Sequence, residues 1–183
     1  IYVCGPNLYG PCHIGHALSY VYFDVLRRYL EYQGYQVHQV QNFTDIEDRI
    51  IEVAQREGRS IEELAEEYIQ RFLQEMDALG VQRAHHYPRA TEYIDHMIEI
   101  IQDLIAKGHA YVIEGDVYFR VRAFQAYGHL SRRPIEDMKA GSRIEIDPRK
   151  EDPMDFALWK ASKGEGPSWP TPWGPGRPGW HIE

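Results

Sequence analysis

Residues 3–16, VCGPNLYGPCHIGH, constrain this chain more than any other stretch. A short apolar segment, IYVCG, leads in, and a long helix-forming segment leads out. Between them lie three glycines, two prolines, two cysteines and two histidines. A buried strand that stops at a Gly-Pro turn and restarts as a helix is the opening of an α/β unit. In such units ligands sit at the carboxyl ends of strands, where a helix N-terminus presents unpaired N–H groups and a positive dipole. Gly15 at the helix start lets a phosphate or a flat base approach the main chain closely. His13 and His16 flank it, and two imidazoles suit a phosphate whose charge grows in a transition state. Histidines in this position also serve as ordinary loop and capping residues, so the bare H-x-G-H spacing leaves both readings open.

The rest of the first ninety residues continues the pattern. Segment 15–35 carries Leu18, Tyr22, Leu26 and Leu30, with Val21, Val25 and Tyr29, at helical spacing, and Gly34 is a candidate C-cap. QVHQVQNFT reads as a second strand and DIEDRIIEVAQREG as a second helix. A third helix starts at Ser60, with Glu63 three residues on as a capping box. The order strand, helix, strand, helix, helix predicts a parallel α/β sheet. Past RAHHYPRAT the character changes. A helix at 92–108 leads to HAYVIEGDVYFRV, a hairpin with a Glu-Gly-Asp turn. The Pro/Gly/Trp-rich run GPSWPTPWGPGRPGW is expected to hold no regular structure, and WHIE to re-enter a sheet. The expected domains are therefore 1–87, an insertion of α+β character at 88–163, and a loop with a re-entry strand at 164–183.

Charge narrows the partners. Lys plus Arg number 20 against 28 Asp plus Glu, a net charge of −8, which argues against a broad basic surface but permits a local one. SRRPIEDMKAG is such a local patch, suited to nucleic acid or to plain solvation. No run is long and apolar enough to cross a bilayer, and no signal peptide is visible. Two cysteines without a spaced framework favour a reducing compartment.

Further clusters have two readings each. FTDIED offers Thr44, Asp45, Glu47 and Asp48: either carboxylates for Mg²⁺, or Thr44 and Glu47 as a capping box with Asp45 on the helix dipole. WKASK superficially echoes a lysine-rich phosphate loop and is read as a solvated loop. His85 and His86 lack helical pair spacing and are read as surface residues.

HIGH at residues 13–16 resembles the signature of class I aminoacyl-tRNA synthetases. YVCGPNLYGPCHIGH, VQNFTDIEDRI, AKGHAYV with GDVYF, YGHLSRR, DPMDFALWK and GRPGWHIE, in that order over the whole chain, narrow the resemblance to cysteinyl-tRNA synthetase. The resemblance implies the first half of a Rossmann-type α/β catalytic domain carrying an inserted connective domain. It implies a cytoplasmic, monomeric ligase that joins cysteine to ATP, with Mg²⁺, and passes the cysteinyl group to tRNA(Cys). His13, Gly15 and His16 would bind ATP, with the two histidines stabilising the activation transition state. Gly5, Asn7, Thr44 and Trp180 would line the amino-acid pocket. Asn7 departs from the family's usual Thr, and core packing is the simpler role for Trp180.

The resemblance also makes Cys4 a ligand of a Zn²⁺ ion that selects the substrate thiol, with the other ligands and a KMSKS loop expected beyond Glu183. Zinc takes about four ligands, and a soft thiolate separates cysteine from serine sharply. A small packed cysteine is the alternative. Cys12 receives no ligand role and is expected to pack under the loop. The chain starts at Ile1 and ends within GWHIE, and is expected to be part of a longer protein, inactive by itself. The rival functions are a cysteine ligase of the mycothiol pathway and a non-catalytic nucleotide-binding piece.

Overall fold

Two short strands begin the architecture. In the computed structural model, β1 (Tyr2–Val3) pairs in parallel with β2 (Val40–Gln41), and α1 (Ile14–Tyr32) connects them. Residues 1–135, 147–164 and 166–183 are described. Parallel bridges from Val40 to His86 and from Phe43 to Arg89 extend the ladder, so β2 is paired on both sides. The strands are shorter than the apolar segments that predict them, because pairing in QVHQVQNFT is confined to its second half. Helices α2 (Asp48–Glu57) and α3 (Ile61–Ala78) follow. Ser60 Oγ accepts the Glu63 N–H at 3.1 Å and Glu63 Oε2 accepts the Ser60 N–H at 3.3 Å, the capping box expected there. These elements make up one compact unit, Ile1–Tyr93. Its core is Val3, Phe43, Ile50, Leu64 and Phe72, with Tyr20 and Phe72 edge to face at 5.0 Å.

Helix α1 turns an unexpected face inward. Its buried residues are Tyr20, Asp24 and Arg27. Leu18 is 72% exposed and Tyr22 67%. Polar bonds to the 80–85 segment set this orientation. Asp24 Oδ1 accepts the Gln82 N–H at 2.9 Å, while Arg27 and Arg28 donate to the Arg83 and Gly80 carbonyls. Charge-assisted bonds to main-chain groups are stronger than neutral ones, and here they settle which face is enclosed. The helix ends at Gln33, with Gly34 one residue beyond at φ +90°.

The second unit, Ile94–Glu183, opens with α4 (Ile94–Ala106). An antiparallel sheet of β3 (Ala110–Ile113), β4 (Asp116–Phe119), β5 (Phe156–Ala161) and β6 (Gly176–Pro178) follows in that order. The β3–β4 turn has positive φ at both Glu114 and Gly115, the backbone twist that a two-residue hairpin requires. Asp155, 1% exposed, ties the sheet to the adjoining turn by accepting Tyr111 Oη at 2.7 Å and the Val121 N–H at 2.9 Å.

Three sequence expectations are corrected in this unit. WKASK is not a solvated loop: Trp159, Lys160 and Ala161 belong to β5, and Trp159 is fully buried. The Pro/Gly/Trp run does contain regular structure, since β6 lies within it. A Cβ on Gly176 would stand 2.2 Å from the Lys160 carbonyl oxygen, so glycine lets this segment join the sheet. The strand is at Gly176–Pro178, and Trp180 and His181 form a turn after it. Of the basic patch at 131–141, positions 136–141 lie outside the described residues. Among the described residues no helix is long and apolar enough to cross a membrane.

Candidate active site

The loop from β1 to α1 is anchored at its first glycine. Gly5 N–H donates to Asn42 Oδ1 at 2.7 Å, and a Cβ at Gly5 would fall 1.5 Å from the Asn42 carbonyl oxygen. Only glycine fits that approach. Asn7 then bridges in parallel to Thr44, so the two pocket candidates face each other across adjacent segments. Cys4, at the end of β1, is exposed, and its carbonyl accepts Tyr20 Oη at 3.4 Å.

His13 is the N-cap of α1. Its Nδ1 accepts the Gly15 N–H at 3.1 Å, and its own N–H donates to His16 Nδ1 at 3.2 Å. With both Nδ1 atoms used as acceptors, each neutral ring carries its proton on Nε2. The rings stack with centroids 4.0 Å apart. The capping reading is realised, and each ring keeps an Nε2–H beyond the cap. A Cβ at Gly15 would lie 2.9 Å from His13 Cε1, so the glycine seats the ring. Burial, and then the neighbouring His13, hold His16 below its ordinary pKa, while Glu75 pulls the other way.

FTDIED is corrected. The N-cap of α2 is Glu47, without a side-chain cap, and Thr44 is 1% exposed in the bridge with Asn7. Asp45 leaves the helix dipole to accept the Thr91 N–H at 3.0 Å and Thr91 Oγ1 at 2.6 Å. A carboxylate satisfied by two strong local donors outcompetes a frayed helix end for its position. Trp180 belongs to the second unit, is 50% exposed and stacks on His181 at 4.8 Å. His85 and His86 are exposed, as expected of surface residues.

The tRNA synthetases class I (C) catalytic domain family matches residues 1–183. The chain belongs to that family. Among curated relatives of this synthetase domain are proteins called Cysteine--tRNA ligase. Those of Desulforamulus reducens and Caldicellulosiruptor saccharolyticus are each 56% identical over all 183 residues. The chain spans 38% and 39% of their respective lengths. Among solved structures, Mycobacterium tuberculosis methionyl-tRNA synthetase in complex with methionyl-adenylate matches with a TM-score of 0.67 at 16% identity, over 94% of this chain and 43% of that one. A LeuRS-tRNA-LeuAMS complex of Agrobacterium radiobacter K84 matches with a TM-score of 0.55 at 24% identity, over 64% and 16%. At these identities the structures establish the fold, an α/β class I synthetase fold.

Zinc receives a partial answer. Among the described residues no three His, Cys, Asp or Glu side chains converge as a metal site. Cys12 packs against the core of the first unit, as expected. Burial and its hydrogen bond to Glu75 push its thiol up to about 12. Sequence reasoning missed Asn42, which anchors Gly5, and Glu75, which accepts the Cys12 N–H at 3.2 Å. The signals for them are faint: an Asn within a strand segment, and an i,i+4 pair of Arg71 with Glu75 on α3.

Proposed function

We propose that this chain is the adenylate-forming part of a cysteine-tRNA ligase. The observation that carries the reading is the His13–His16 pair: two Nε2–H donors held side by side at the N-terminus of α1. The substrate carboxylate attacks the α-phosphorus of ATP, forming the acyl–phosphate bond as the bond to the β-phosphate bridging oxygen breaks. Pyrophosphate leaves with that electron pair. Charge builds on the α-phosphoryl oxygens during this step, and preorganised Nε2–H donors with the helix terminus stabilise it most at that moment. No protein nucleophile is required. A ribose hydroxyl of tRNA(Cys) then attacks the carbonyl carbon and AMP leaves. ATP is taken with Mg²⁺.

Gly5, Asn7 and Thr44 are proposed to line the cysteine pocket, and Cys4 to supply one thiolate of a zinc site in the longer protein. Residues 1–87 and 164–183 are assigned to the catalytic domain and 88–163 to the connective insertion. The enzyme is proposed to be a cytoplasmic monomer. The chain spans 38% and 39% of its relatives' lengths, and the 183 residues alone are expected to be inactive.

The test is cysteine-dependent ATP–pyrophosphate exchange and tRNA(Cys) charging by the full-length protein, beside the 183-residue chain. Full activity is expected of the first and none of the second. Adenylate formation with transfer to an amino-sugar and none to tRNA would move the assignment to the mycothiol-type ligase.

A further inference from the structure

The loop that leads into the N-cap His13 is held by α3. Glu75 Oε2 accepts the main-chain N–H of Cys12, the residue before the N-cap, at 3.2 Å. Glu75 Oε1 accepts Arg71 Nε at 2.8 Å, which holds the carboxylate in place. The Cys12 thiol hydrogen-bonds the same carboxylate. Asn7, Cys12, His16, Arg71 and Glu75 line one narrow cleft together. One carboxylate therefore fixes the main chain on which His13 sits and borders the ring of His16.

Resting on the adenylate-forming reading above, we propose that Glu75 is a positioning residue for the His13–His16 pair, acting through the Cys12 N–H, with Arg71 fixing its rotamer. Glu75 touches no reacting atom. Its importance follows from geometry, since a misplacement of about 1 Å at a catalytic constellation costs roughly 10²-fold in rate. The groups facing His16 are His13 from its own loop, Cys12, and Glu75, Arg71 and Tyr68 from α3. Of these, Glu75 is the one carboxylate, and its charge favours the imidazolium that burial and His13 disfavour.

The experiment uses the full-length protein with Glu75→Ala, Glu75→Gln and Arg71→Met. Exchange kinetics are read together with an NMR titration of the His16 ring. Glu75→Ala is expected to lower kcat about tenfold or more with KM for cysteine within about twofold, a split that general unfolding does not produce. Glu75→Gln keeps an acceptor for the Cys12 N–H and is expected to recover most of kcat. Its lost charge moves the His16 titration to lower pH. Glu75→Ala at wild-type kcat, or Glu75→Gln as impaired as Glu75→Ala, overturns the proposal. If Glu75→Ala loses its fold, Arg71→Met decides: it is expected to lower kcat about threefold, and an unchanged kcat overturns the proposal. A wild-type protein without cysteine-dependent exchange would instead refute the functional reading. The ring resonances of His13 and His16 then still decide on Glu75: rings unmoved in folded Glu75→Ala would exclude the positioning role.

Discussion

The rings of His13 and His16 lie 4.0 Å apart with their planes 19° from parallel. Each ring spends its Nδ1 on a main-chain N–H of the other's end of the motif, so capping the helix and aiming the donors are one act. Under the proposed function, removing either ring takes away a transition-state donor together with the cap.

In the full-length protein, His16→Ala is expected to lower kcat for ATP–pyrophosphate exchange by roughly 10²–10³-fold, the scale of one lost oxyanion-type donor. KM for cysteine should stay nearly constant. Gly15→Ala should produce a comparable loss through His13, because the new Cβ would crowd that ring at 2.9 Å. Steady-state exchange kinetics check both, and a Gly15→Ala enzyme with normal kcat would contradict the seating role.

Gly5→Ala is expected to destabilise the fold by about 3 kcal/mol or more, since its Cβ would collide with the Asn42 main chain. Gly10→Ala is the control: its Cβ would meet nothing within 4 Å, and its effect should stay within about 0.5 kcal/mol. Denaturant unfolding of the two variants measures the difference.

The two cysteines should separate chemically. With a thiol pushed up to about 12, Cys12 is thiolate in only about one molecule in ten thousand at pH 8, so iodoacetamide should leave it unmodified in the native state. Exposed Cys4 should be alkylated once metal is removed by a chelator, and protected when zinc is restored. Peptide mass mapping reads both. Cys4→Ser with unchanged zinc content would refute its ligand role.

Stability should fall on the acid side of neutrality. Burial holds His181 below the ordinary histidine value of about 6.5, and burial with His13 does the same to His16. Between the depressed value and about 6.5 the unfolded chain binds more protons than the folded one, so stability rises with pH through that window. Below the depressed value this contribution is gone. His181→Phe keeps an aromatic ring between Trp180 and Phe156 and should flatten part of the slope. Thermal unfolding at a series of pH values tests it, and an unchanged slope would exclude His181 as a source.

What the sequence determined by itself is local. The Ser60–Glu63 box, the Glu114–Gly115 turn and the strand–loop–helix placement of His13, Gly15 and His16 all rest on groups within four residues of one another. Such contacts are encoded by spacing alone, because helix and turn geometry bring those positions together in any context. Only the tertiary structure decided which face of α1 turns inward, since Asp24 finds its partner in Gln82, 58 residues on. Likewise Thr44 bridges to Asn7 and Asp45 accepts from Thr91, and neither takes the expected place at the helix end. Glu75 reaches the Cys12 N–H across 63 residues. A buried polar group must find a partner somewhere, and when several stand in reach only the packed chain decides which one it takes.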